Sequence, residues 1–293
     1  VNNLERRYRR LLRVLPRWYR AEREEEMVGI FLADRDDDLD QEYGWPGWGE
    51  TGATLGLAVR TRFAADAAPA YVVRLGDVVR LVAMLGLLAQ VAAVAEQSAR
   101  AVIWRIDGLP AYDSPWAVAF EATALGAAAA MFAGHRSVAK TLTVALVLYG
   151  LVHLALTDGP AAWWVLGAQV PLWVTAAALF AGFHREAPAP PAAPWWRAAA
   201  LAVPIGVGWA FLPIGGLIPF AVIVAGVVVL LRRGPAVWGL ALAMWAAVHA
   251  STTHVETPLW QFQAAGLIVV TVLLAVLGLR LLTPASAPGS PRP

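Results

Sequence analysis

The sequence predicts an all-α fold: a polytopic helical membrane protein of about eight transmembrane helices, led by a small N-terminal cytoplasmic three-helix domain. Three observations carry this. First, 59% of residues are hydrophobic and only 15% charged, with a mean hydropathy of +0.57, outside the range of soluble globular chains. Second, charge is concentrated at one end. Residues 1–80 hold 13 of the 23 basic and 14 of the 21 acidic residues, leaving 10 and 7 for the other 213 positions. Third, apolar runs of about 20 residues, the length that crosses about 30 Å of hydrocarbon, recur between short loops rich in turn residues. The chain therefore divides into a charged helical domain over 1–66, a transmembrane domain over 67–283, and a disordered cytoplasmic tail over 284–293, where "PASAPGSPRP" offers nothing to pack.

In the opening stretch "LERRYRRLLRVLPRWYRAEREEEM", Leu4, Tyr8, Leu11, Leu12 and Leu15 recur at helical spacing. Asn3 is placed to cap this first helix and Pro16 to end it. Arg6, Arg7, Arg9, Arg10 and Arg13 occupy much of its remaining surface. A second helix, from about Arg17 to Ala33, presents Trp18, Ala21, Val28, Phe31 and Leu32 as its apolar side and carries Glu22, Glu24, Glu25 and Glu26 in its first half. An antiparallel pair sets a basic helix beside an acidic one, so cross-helix ion pairs fix their register for modest energy. "DRDDDLDQEYGWPGW" reads as an acidic loop, and "GETGATLGLAVRTRF" as a third helix with Leu55, Val59 and Phe63 on its apolar stripe. Three short helices make a thin core.

The candidate spans are 78–97, 115–134, 138–156, 161–183, 197–213, 214–231, 236–252 and 259–282. Residues 197–231 read as a hairpin, because a single helix there would be about 50 Å long and "FLPIGGLIPF" centres it on prolines and glycines. Loop cations orient the whole. With the head inside, Arg136, Lys140, Arg185, Arg197, Arg232, Arg233, Arg280 and Arg292 fall on the inner side beyond residue 80, against Arg100 and Arg105 outside. Both termini are then cytoplasmic and the membrane is the cell inner (plasma) membrane. The chain opens on a charged helix instead of a short basic region followed by an apolar core, so no cleaved leader is expected. Trp104, Trp116, Trp163, Trp164, Trp195, Trp196, Trp238 and Trp260 fall near span ends, where indoles anchor at the interface.

The head, "ERRYRRLLRVLPRWYRAEREEEM" followed by an acidic loop and a third helix before the membrane, resembles the HAAS-type cytoplasmic signalling domain, in the form that begins actinobacterial multi-span membrane proteins. The resemblance covers about residues 4–64. It implies regulatory coupling, since the family is associated with PadR-like transcription regulators and export systems, and it supplies no catalytic residues.

The remaining chemistry is sparse. Without cysteine there is no thiolate nucleophile and no Cys-ligated metal. Phosphate-cradling, nucleophile-elbow and HExxH motifs are absent, so an ATPase of an ABC-type exporter would be a separate chain. No catalytic residue and no cofactor is expected. Rare polar residues gather at the outer leaflet level in this threading: Glu121, His153, Asp158, His249, His254 and Glu256. A carboxylate such as Glu121 is costly in a span unless paired or functional, and histidine titrates near neutrality and ligates metals, so this cluster is a candidate for proton or metal sensing. Arg6, Arg9, Arg10, Arg13, Glu22 and Glu25 are candidates for docking a partner. Direct nucleic-acid binding is not expected, because the acidic helix and Asp-rich loop repel phosphates.

The functional expectation is a non-enzymatic sensor or regulatory protein in the lipid bilayer whose head docks a cytoplasmic regulator protein. The alternative is a transporter or ABC-type permease-like subunit, which requires polar side chains at mid-depth. Gln169, Thr175, Gln263 and Thr271 are the candidates for that.

Overall fold

Proline and glycine punctuate a chain that is otherwise helical. The computed structural model describes residues 3–33, 45–63, 68–109, 114–159, 161–184, 187, 190, 192–211 and 241. Among these, eight helices and no strand are found: α1 (Asn3–Leu12), α2 (Arg17–Ala33), α3 (Trp48–Arg62), α4 (Ala70–Ile106), α5 (Pro115–Phe132), α6 (Arg136–Ala155), α7 (Ala161–Gly182) and α8 (Ala192–Ala210). The sixth and eighth expected spans, all of the seventh but Ala241, residues 34–44 of the acidic loop and the C-terminal tail lie outside the described residues. The chain forms two compact units, Val1–Gly76 and Asp77–Pro293.

In the first unit, Leu4, Tyr8, Leu12 and Leu15 are buried, one face of α1 continued into the turn before Pro16. They pack with Val28 and Phe31 of α2 and Ala58 of α3. The Tyr8 ring stacks on Phe31, centroids 3.9 Å apart and 5° from parallel. The Tyr8 hydroxyl donates to Glu50 Oε1 at 3.0 Å, so one side chain ties α1 to both neighbours. Burial first, and the bond to Glu50 second, push that hydroxyl well above the ordinary tyrosine range.

Helix α3 does not bury the stripe its apolarity suggests. Thr54, Ala58 and Thr61 face the core, while Leu55 and Val59 are exposed. Two bonds set this rotation: Tyr8 to Glu50 at one end, and Arg62 Nη2 to the Val14 carbonyl (2.8 Å) at the other. The smaller side chains sit closer to α1, and Thr61 satisfies its hydroxyl on the Leu57 carbonyl at 2.9 Å. In α2, Ala21 is likewise exposed, although sequence places it on the apolar side.

Four of the described helices are long and apolar enough to cross a membrane, all but the first turns of the first lying in the second unit: Ala70–Ile106, Pro115–Phe132, Arg136–Ala155 and Val165–Gly182. This is the make-up of a membrane protein. Over its described residues α8, the expected fifth span, is not among them, its apolarity diluted by Trp195, Trp196, Arg197 and Pro204. The first span is longer than expected. At 37 residues, α4 is about 55 Å long and overruns 78–97 at both ends. Its extension carries the ion pair Glu96–Arg100 (2.8 Å), one turn apart on the same face. It stops where Gly108 takes φ of 70° and the Leu109 N–H returns to the Trp104 carbonyl at 2.8 Å. The turn from α5 to α6 is built the same way on Gly134, φ 86°.

Helix α5 packs on α6, and α6 on α7. The core holds Val82, Met84 and Leu87 of α4, Met131 and Phe132 of α5, Leu146 of α6 and Leu179 of α7. Val118, Leu148, Leu151, Val152 and Leu201 face outward, as suits helices solvated by lipid. Lipid gives apolar helices no hydrophobic reason to associate, so close packing at small residues must hold them. Gly86 of α4 is such a place. A Cβ there would lie 2.7 Å from Cγ2 and 2.8 Å from Cβ of Thr175. Overpacking of this kind costs about 1–3 kcal/mol. Gly86→Ala is therefore expected to lower the thermal unfolding midpoint of the detergent-solubilised chain. Gly208→Ala, where a Cβ meets nothing within 4 Å, should leave the midpoint unchanged or raise it.

Candidate functional site

The head sorts its arginines by what they touch. Arg9 faces α2 and forks onto Glu25, Nη1 to Oε1 at 2.7 Å and Nη2 to Oε2 at 2.9 Å. Its Nε donates to Glu5 at 2.8 Å, and Nη1 lies 3.6 Å from Glu24. The bonds to Glu25 and then Glu5 raise Arg9 above its ordinary value, and Arg9 in turn lowers the Glu25 carboxyl. Arg9 and Glu25, two of the expected docking residues, are thus engaged in joining α1 to α2. Arg6 and Arg10 stand one turn apart on the exposed side of α1, and Arg13 follows just past its end. None of these three is in an ion pair or side-chain hydrogen bond among the described residues. Glu22 is also exposed. What remains on this surface is a cationic strip, held on a helix whose other side is fully packed.

The expected outer polar cluster is resolved only in part, since His249, His254 and Glu256 lie outside the described residues. Glu121, half-buried on α5, accepts from Ser98 Oγ of α4 at 3.5 Å. His153, in the last turn of α6, stacks at 6.3 Å on Tyr149, which leans on Phe120 of α5 at 5.0 Å. Asp158 is exposed beyond the end of α6. Each of the three has its own surroundings, and among the described residues no group of three His, Asp or Glu side chains is placed to hold a metal ion.

Two mid-depth polar residues also have their places. Gln169 is buried against Gly150 of α6, where a Cβ would lie 3.0 Å from Nε2. Thr175 is fully buried against Gly86 and donates to the Pro171 carbonyl at 2.7 Å. Both fill helix crossings. Gln263 and Thr271 lie outside the described residues.

At the far end of α7, cations meet carbonyl oxygens. Lys140 Nζ of α6 donates to Phe183 O at 2.8 Å. Arg136 Nη1 donates to Ala187 O at 2.7 Å and His184 O at 3.3 Å. Positive charge is unfavourable at the start of α6, but it caps the orphan carbonyls and negative dipole end of the antiparallel α7. The arginine and lysine that orient the chain by sequence thus also have a structural role.

Sequence reasoning missed an exposed apolar strip on α3. Trp48 is 82% exposed, Leu55 47% and Val59 39%, and Trp45 packs edge-on to Trp48 at 4.9 Å. Periodicity found Leu55 and Val59, but not which way they face.

Comparison with family models, with curated proteins and with solved structures returns no match for this chain.

The division among the arginines is testable. Arg9→Met is expected to speed amide hydrogen exchange across residues 4–31 of the intact chain, while Arg10→Met leaves it unchanged. Because the Glu25 carboxyl is held below its ordinary value of 4.5, its contribution is full above that pH and disappears as pH falls through the lowered value. Protection of the same residues, corrected for intrinsic rate, should weaken correspondingly in acid.

Proposed function

We propose that this chain is a non-enzymatic sensor or regulatory protein of the plasma membrane. In this reading about eight spans carry a cytoplasmic N-terminal head, and the head docks an acidic partner protein. The observation that supports it best is the strip of Arg6, Arg10 and Arg13, which has no ion-pair partner among the described residues, beside an Arg9 consumed internally. The packed helix fixes the backbone from which these arginines project, and their planar fork suits bidentate pairing with carboxylates. The loop-cation bias, with Arg136 and Lys140 on the inner side and Arg100 and Arg105 on the outer, supports a head inside and both termini cytoplasmic. The resemblance of residues 4–64 to the HAAS-type domain favours a regulator as the partner.

Glu121 and His153 are secondary candidates for receiving the envelope signal, each acting from its own position on α5 and α6. For the permease reading, Thr175 is taken up by helix packing, whereas Gln169 packs against Gly150 but keeps a buried amide oxygen without a hydrogen-bond partner among the described residues.

The test is co-purification from native membranes of the intact chain and of an Arg6→Glu/Arg10→Glu/Arg13→Glu variant, at low and high salt. A specific acidic cytoplasmic protein should be retained by the wild type at low salt and lost from the variant by at least tenfold, about 1.4 kcal/mol. Undiminished retention by the variant, or recovery only of membrane-embedded and ATPase subunits, would overturn the proposal.

A further inference from the structure

We infer that the outward strip of α3 lies on the lipid surface, so that the head is held against the bilayer as well as tethered to it. The strip is well defined. Trp48, Leu55 and Val59 fall at i, i+7 and i+11, within one narrow arc of the helix, and the buried Thr54, Ala58 and Thr61 define a different arc. An indole 82% exposed beside a second, 46% exposed indole is costly in water and favourable at a membrane interface, where tryptophan concentrates.

Three further features favour lipid as the occupant. Fifteen residues separate Arg62 at the end of α3 from residue 78, where the first expected span begins, and those from Ala70 on are already helical, so the strip is tethered within reach of the interface. Arg62, about 40° round the last turn from the strip, places positive charge beside it while its Nη2 holds the Val14 carbonyl, as suits a helix that lies in the interfacial plane. Finally, α3 is a poor helix by composition. Gly49, Gly52 and Gly56 each cost about 1 kcal/mol relative to alanine, and a Cβ at any of them would meet nothing within 4 Å, so packing inside the head does not require them. An apolar surface that keeps water from the backbone hydrogen bonds of such a helix stabilises it.

This inference rests on the membrane reading above but not on the docking role of the arginines. The chain contains no cysteine, so single cysteines can be introduced into the otherwise unaltered chain. Spin labels at Leu55→Cys, Val59→Cys and Ala53→Cys would be read in nanodiscs of mixed zwitterionic and anionic lipid, by accessibility to oxygen against a water-soluble nickel chelate. Leu148→Cys on the exposed side of α6 reports the membrane itself. The expected result is a several-fold higher oxygen-to-nickel ratio at 55, 59 and 148 than at 53, with Trp48→Arg lowering the ratio at 55 and 59 only. Nickel accessibility at 55 and 59 equal to that at 53, with 148 still oxygen-rich, would overturn the inference and leave the membrane reading standing. A low ratio at 148 as well would overturn both. Disulfide capture between two Leu55→Cys chains would overturn it in favour of a second copy as occupant.

Discussion

The second unit depends on close approach between helices at positions where one partner has no side chain. In lipid, apolar side chains gain nothing by leaving their surroundings for one another, so contact distance decides association. Gly86 admits Thr175 to the backbone of α4, and Gly150 admits Gln169 to that of α6. The first crossing also holds a hydroxyl that is satisfied within its own helix, on the Pro171 carbonyl. The carbonyls at the end of α7 are met by Lys140 and Arg136 from the neighbouring helix. Thr175, Lys140 and Arg136 are thus engaged within the helices, while Gln169 Oε1 and Trp173 Nε1 are buried without a hydrogen-bond partner among the described residues.

In the head the logic is different, because the core is small. Tyr8 connects three helices by stacking on Phe31 and bonding to Glu50, and Arg9 locks α1 to α2 from outside that core. With those contacts made, the orientation of α1 is settled, and Arg6, Arg10 and Arg13 can only face out. The bonds of Glu50 and Arg62 hold α3 so that Trp48, Leu55 and Val59 are left outside. The head therefore presents two surfaces of distinct character, a cationic strip on α1 and an apolar strip on α3.

Much of this was legible in sequence, and the rest was not for identifiable reasons. The bounds of α1 and α2 follow from Pro16 and the spacing of Leu4, Tyr8 and Leu12. The Arg9 engagement does not, because Arg9 and Arg10 differ by only one position, about 100° around the helix, and only the placement of α2 separates their roles. The strip on α3 was read as inward because Leu55 and Val59 are more apolar than Thr54 and Thr61. Periodicity shows that an apolar face exists but not what covers it. The overrun of α4 was hidden because the charges flanking its apolar stretch look like loop, whereas Glu96 and Arg100 pair along a continuing helix. Of the expected outer cluster, sequence showed which residues are rare at that depth, but not that Glu121 would sit with Ser98 and His153 with Tyr149.

The most direct test of a docking head is photo-crosslinking from a benzophenone residue at position 10 of the intact chain in native membranes. The result expected is one discrete protein adduct that fades as ionic strength rises, because exposed ion pairs are screened beyond about 10 Å at 0.1 M salt. Adducts to lipid alone, or an adduct pattern indifferent to salt, would contradict the assignment of Arg6, Arg10 and Arg13 to a protein partner.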